Sequence, residues 1–168
     1  MRTAGVLIAI ALALALQTTL APFVVGGTAA IDLVLVAVVY IALTSGPVSG
    51  MLAGSLAGLI QDQLSTGVLG IGGLAKSIVG FVVGAIGQQF IVTAALPRLV
   101  TFVGATVAYQ LIFMGIYVAL NERSFPSPWK AIGTQALGNA LVGMIAFTII
   151  EAIPGVMERR RIGRRSRH

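Results

Sequence analysis

The chain has 168 residues, 57% of them hydrophobic and only 10% charged, with a mean hydropathy of +1.00 and a formal net charge of +6. That apolarity exceeds what a water-exposed surface carries, so the composition points away from a soluble domain and toward a single polytopic membrane bundle. Six of the eleven basic residues follow Glu158, directly beside a hydrophobic segment, so the excess charge reads as a contact with anionic lipid and not as a nucleic-acid footprint.

A hydrocarbon layer of about 30 Å takes roughly 20 apolar helical residues, and six segments approach that length. The first runs from Ala4 to Leu20 and ends near Pro22. Its opening, Met1 to Leu16, also has the form of a secretory signal peptide, but the apolar run continues past it and a retained helix is the simpler reading. The second runs from Gly27 to Thr44, and the SGPVSG stretch around Pro47 separates it from a third, Val48 to Leu64. One continuous helix here would be longer than the membrane is thick and would carry proline in its interior. The fourth spans Ile71 to Phe90, the fifth Leu99 to Leu120, and the sixth Ala131 to Ile153, where Pro154 and Gly155 supply stop signals. The expected fold is therefore an all-α membrane protein, a six-transmembrane-helix bundle over residues 1–155 followed by a basic cytoplasmic tail, 156–168.

Lys and Arg near membrane ends are retained in the cytoplasm. With both termini inside, the cytoplasmic face holds Arg2, Arg98 and the arginine-rich tail, while Arg123 and Lys130 lie outside and Tyr117 and Trp129 fall at the outer interface. The expected location is a bacterial inner membrane.

Between Arg2 and Glu122 the only charged residues are Asp32, Asp62, Lys76 and Arg98. A charge near the bilayer centre costs about 2.5–3.5 kcal/mol on insertion scales, so each needs a partner, water or a place near the surface. Asp32 and Asp62 fall toward the outer side, and the short Ser65 to Gly70 loop brings Lys76 near Asp62. Two readings are open: an Asp62–Lys76 pair, or Asp62 ending its helix in water while the Lys76 stem snorkels outward.

Gly50, Gly54 and Gly58 form one stripe on the third helix, and Gly72, Lys76, Gly80, Gly84 and Gln88 share a face of the fourth. Small residues allow the close backbone approach that drives helix association in lipid, and packing of these two helices against each other is favoured over a partner interface. Ala9 with Ala13, and Ala11 with Ala15, repeat the pattern on the first helix. Gln110, Gln135 and Asn139 are candidates for interhelical hydrogen bonds, and Glu151 for an interfacial carboxylate.

Catalysis has little support. The one histidine is the last residue, His168, and there is no cysteine, so a histidine triad, a thiol nucleophile and a histidine metal site are all excluded within the bundle. An aspartic dyad of Asp32 and Asp62 is the one enzymatic option with physical content. No cofactor or metal is expected.

The stretch Gly58 to Gly70, GLIQDQLSTGVLG, followed by GGLAKSIVGFVVG, resembles the signature region of the rod shape-determining MreD family. There a glycine-rich helix ends in G-x-x-x-D, here Gly58 and Asp62, followed by a leucine-glycine pair, here Leu69 and Gly70. QTTLAPF, the I-D-L start of the second helix, the length and the basic C-terminus fit the same family. The resemblance implies a non-enzymatic component of the machinery that builds lateral peptidoglycan. Its partners would be MreC, and through it or directly MreB, RodA and a class B penicillin-binding transpeptidase. On this reading Asp32, Asp62, Lys76, Ser65 and Thr66 form or support a partner contact at the outer end. The tail arginines Arg159, Arg160, Arg161, Arg164, Arg165 and Arg167 hold anionic lipid or a cytoplasmic partner, or simply anchor the topology. The substrate-binding S-component of an energy-coupling-factor vitamin transporter is the alternative. Its architecture is shared with MreD-like proteins, and Ala9 and Ala13 match its A-x-x-x-A pattern. Such a binder should concentrate aromatics at its outer helix ends, whereas the 7% aromatic residues here are thinly spread.

Overall fold

The computed structural model describes residues 3–20, 24–25, 28–65, 67–89, 95–122, 125 and 127–165. Over these the chain forms six helices, α1 (Thr3–Leu20), α2 (Leu33–Ser45), α3 (Pro47–Leu64), α4 (Ile71–Gln89), α5 (Ala95–Ala119) and α6 (Pro128–Arg165). Between α1 and α2 lies a small antiparallel hairpin, β1 (Val24–Val25) and β2 (Thr28–Ala29), paired Val24 with Ala29 and Val25 with Thr28. Three apolar stretches are long enough to cross a membrane: α4, α5 and the Pro128–Ile150 part of α6. The apolar helices Gly5–Thr19 and Leu33–Ser45 are shorter. In α3, Gln61, Asp62 and Gln63 dilute the apolar run. The chain is thus an all-helical membrane protein apart from the two-residue strands.

Three boundaries differ most from the sequence reading. The second helix begins at Leu33 and not at Gly27, because Asp32 caps it: its Oδ1 accepts from the Leu35 N–H at 2.9 Å, satisfying a donor that the first helical turn leaves open. α2 is consequently 13 residues, about 20 Å long. α5 begins at Ala95, since Pro97 in a first turn removes only an N–H that has no intrahelical acceptor anyway. Neither does Pro154 stop α6. The backbone continues through it to Arg165, giving a helix of 38 residues, about 57 Å, with much of the basic tail in helical form. An interior proline costs one backbone hydrogen bond and kinks a helix without obliging it to end.

α2 is the centre of the bundle and touches all five other helices. Its sequence, LVLVAVVYIALTS, has no polar face, as befits a helix buried all round. Leu35, Val36, Val39 and Ala42 pack with Ala75, Val79 and Val83 of α4, Phe102 and Tyr109 of α5, and Ala140 and Phe147 of α6. On the other side Val34, Val38 and Ile41 meet Ile10, Ala13 and Leu14 of α1 and Ala53 and Ala57 of α3. At its far end Gly46 adopts φ 91°, a left-handed conformation open to glycine, and Pro47 at the first position of α3 starts the return pass.

α3 and α4 form the tightest pair. A Cβ placed on Gly50 would lie 2.5 Å from the Gly80 carbonyl oxygen, one on Gly54 2.5 Å from the Lys76 carbonyl carbon, one on Gly58 2.5 Å from Gly73 Cα, and one on Gly84 2.5 Å from Pro47 Cα. The stripe therefore lets two backbones touch at four points over about three turns, and Ser55 and Ser77 hydrogen-bond across the same seam at 2.6 Å. The outward faces are apolar: Leu12, Leu52, Leu56, Phe81, Val100, Leu111, Leu141 and Ile145 are all exposed.

Candidate functional site

The Asp32 cap of α2 is also the partner of the buried lysine. Lys76, only 1% exposed, turns away from α3 and places Nζ 2.9 Å from Asp32 Oδ2 and 4.1 Å from the centroid of the Tyr109 ring. Asp32 is itself 2% exposed. With Oδ1 on the Leu35 N–H and Oδ2 on the ammonium, both carboxylate oxygens are engaged. Lys76 gains the carboxylate and an aromatic face, the two environments that hold an ammonium out of water.

Neutral groups fix this pair from three further helices. The Asp32 N–H donates to Asn139 Oδ1 of α6 at 2.8 Å. Asn139 Nδ2 donates in turn to Thr106 Oγ1 of α5 at 3.1 Å, and Thr106 donates to the Phe102 carbonyl. From α1, Gln17 clasps the backbone just before the helix: its Nε2 donates to the Ile31 carbonyl at 3.0 Å, and its Oε1 accepts from the Leu33 N–H at 2.7 Å. One turn away, Gln110 Nε2 donates to Gln135 Oε1 at 2.7 Å, a second α5–α6 bond. Side chains from α1, α4, α5 and α6 thus converge on the first residues of α2.

This corrects the expected Asp62–Lys76 pair. Lys76 pairs with Asp32, because Gly54 of α3 covers the backbone of Lys76 and its side chain leaves α4 on the α2 and α5 side. Asp62 has a different task. Its Oδ2 accepts from the Gly70 N–H at 2.9 Å and the Gly73 N–H at 3.1 Å, so a carboxylate at the end of α3 caps the start of α4. A Cβ on Gly72 would collide with Asp62 Oδ1, and Gly70 takes φ 97° to turn the chain into α4. The G-x-x-x-D element with its distant glycines is therefore one device: Gly58 admits α4, and Asp62 holds its first turn.

The intervening loop is tied on its other side. Tyr117 OH of α5 accepts from the Val68 N–H at 2.8 Å, and Ser65 Oγ donates to the Asp62 carbonyl at 3.0 Å. Outward here, among the described residues, are Ser65, Gly67 and a short apolar edge, Leu64, Val68 and Leu69. Thr66 lies outside the described residues. Arg159, Arg160, Arg161, Arg164 and Arg165 lie on the backbone extension of α6, and Arg167 is outside the described residues, as is the Glu151 side chain.

The carboxylates of the aspartic-dyad option have separate partners, Lys76 for one and two backbone N–H groups for the other. Among the described residues no group of three or more His, Cys, Asp or Glu is placed to hold a metal ion. What the arrangement does chemically is join helices. Gln17, Thr106 and Tyr109 were not singled out from sequence. A signal was available for Gln17, a polar residue near the end of an otherwise apolar helix, but its target is backbone, which has no sequence signature.

The matched family model is described as rod shape-determining protein MreD and covers residues 1–132, which takes in α1 to α5, both aspartates and Lys76. No curated protein and no solved structure matches the chain.

Proposed function

Since the chain belongs to the MreD family, whose role is rod shape determination, we propose that it is a non-enzymatic integral component of the bacterial cell-elongation complex that helps organise lateral peptidoglycan synthesis. It does so by binding MreC and, through it or directly, MreB, RodA and a class B penicillin-binding protein. The observation that carries this reading is the family match over residues 1–132. The site geometry supports it: Gln17, Asp32, Lys76, Thr106 and Asn139 bond to one another or to backbone, which suits a protein that presents a fixed surface more than one that turns over a substrate.

In the proposed topology six passes leave both termini in the cytoplasm of an inner-membrane protein. The α3–α4 loop then faces the periplasm, held from beneath by Asp62 and from the side by Tyr117. A loop tied at Val68 and Gly70, with the exposed apolar edge Val68 and Leu69, suits a periplasmic domain such as that of MreC. The helical extension carrying Arg159 to Arg165 lies on the cytoplasmic side, where it meets anionic lipid or a cytoplasmic partner. The architectural likeness to energy-coupling-factor S-components is part of this proposal. The vitamin-binding function is not, because Gln17, Asp32, Lys76 and Asn139 bond to each other or to backbone.

Site-specific photocrosslinkers at Ser65 and Thr66 test the contact. Capture of MreC in intact cells is expected, along with copurification in mild detergent. Copurification without any capture from these two positions would move the interface elsewhere, and failure of both would remove MreC as the partner.

A further inference from the structure

A tyrosine near a membrane surface ordinarily turns its hydroxyl toward water or headgroups. Tyr117, in the last turn of α5, does not: it is 4% exposed, and its hydroxyl accepts the Val68 N–H at 2.8 Å. Against its ring lie Phe113, 4.8 Å away between centroids, and Phe125, edge to face at 6.3 Å. Moving the hydroxyl would disturb both contacts, so the α3–α4 loop is fitted to it. Gly67 records that fit. A Cβ on Gly67 would lie 2.6 Å from the Tyr117 oxygen but 3.9 Å from the ring carbon that carries it. The close approach is to the hydroxyl itself, and the missing side chain at Gly67 is what lets the next residue reach it.

The two ends of the loop are organised from α3. The Ser65 N–H and Oγ both donate to the Asp62 carbonyl, and the Gly70 N–H donates to the Asp62 carboxylate. The Tyr117 hydroxyl takes the middle, from a different helix. That middle carries the apolar edge, since Val68 and Leu69 are both exposed. A bond from α5 to the Val68 backbone therefore governs how these two side chains are presented, while Asp62 holds the ends without it.

We propose that Tyr117 is the positioning residue of the outer contact: its hydroxyl, fitted to Gly67, latches the loop in the form that docks the periplasmic partner. The docking half rests on the MreC reading above, and the latch half does not. Hydrogen exchange at single-amide resolution, on the full chain in nanodiscs, reads the latch. Photocrosslinking from Ser65 in intact cells reads docking. Tyr117→Phe keeps the ring and removes the acceptor. Exchange at Val68 should rise about two- to tenfold, the range that one net hydrogen bond implies. Capture of MreC should fall with it, while the unfolding midpoint changes little. Gly67→Ala should produce the same two changes, because its methyl displaces the hydroxyl. In the Tyr117→Phe background it should add nothing, since the methyl then meets the ring carbon at an ordinary contact distance. Gly115→Ala, at an open position on the same helix, should leave both readouts unchanged. Unchanged exchange at Val68 in Tyr117→Phe, a lowered midpoint with faster exchange throughout α5, or equal effects of Gly67→Ala in both backgrounds would each overturn the proposal. So would faster exchange at Val68 with capture undiminished. An absence of capture in the otherwise unaltered protein would instead remove the MreC contact, and the latch would then stand or fall on exchange alone.

Discussion

Lys76 and Asp32 are each buried where water cannot solvate them, so the value of one depends on the presence of the other. Removing one member of such a pair typically costs about 3–5 kcal/mol, because a lone buried charge remains, whereas removing both is often nearly neutral. Lys76→Met and Asp32→Asn should therefore each lower the unfolding midpoint of the detergent-solubilised protein sharply. The double variant should be more stable than either, since asparagine can still cap α2. Additive losses in this cycle would mean that the two charges do not act as a pair. Gln17→Leu should cost less, about 1–3 kcal/mol, the usual range for leaving buried backbone groups unsatisfied. The same unfolding measurement reads it.

Helix packing in lipid rests on shape, and the α3–α4 seam shows how narrow the tolerance is. Gly54→Ala adds one methyl directly onto the Lys76 backbone, and overpacking of this kind costs about 1–3 kcal/mol. Gly115→Ala, facing open space, should be neutral or slightly stabilising. Denaturant titration of the two variants side by side checks the difference, and equal behaviour would remove the seam as a determinant of stability. This seam was legible in sequence, because a spacing of four places Gly50, Gly54 and Gly58 on one face whatever the surroundings. The partner of Lys76 was not. Chain proximity pointed to Asp62, but which way a side chain leaves its helix is decided by the neighbour covering the other side, here Gly54. The start of α2 was misplaced for a related reason: the stretch from Gly27 to Ile31 carries no charge to set it apart from the helix, and the Asp32 cap is what fixes the start at Leu33. The proline within α6 shows the opposite failure, a local signal outweighed by the helical preference of the residues beyond it.

Seen whole, the molecule is a bundle with apolar outer walls, a polar knot around the head of α2 and a cationic extension at one end. The proposed orientation makes two further measurements decisive. A fluorescent protein fused after His168 should light up in the cytoplasm, and alkaline phosphatase fused after Glu122 should be active. A dark C-terminal fusion with an inactive phosphatase would invert the topology. The knot has a consequence for biogenesis as well. Asp32 leaves the ribosome well before Lys76, and Asn139 emerges later still, so at roughly 5–20 residues per second the aspartate waits seconds for its counter-ion. During that interval the short second helix has a bare acid at its head and no permanent place in the bilayer. Its final seating is then one of the last acts of assembly, which makes the newborn chain dependent on whatever shelters it at the insertion site.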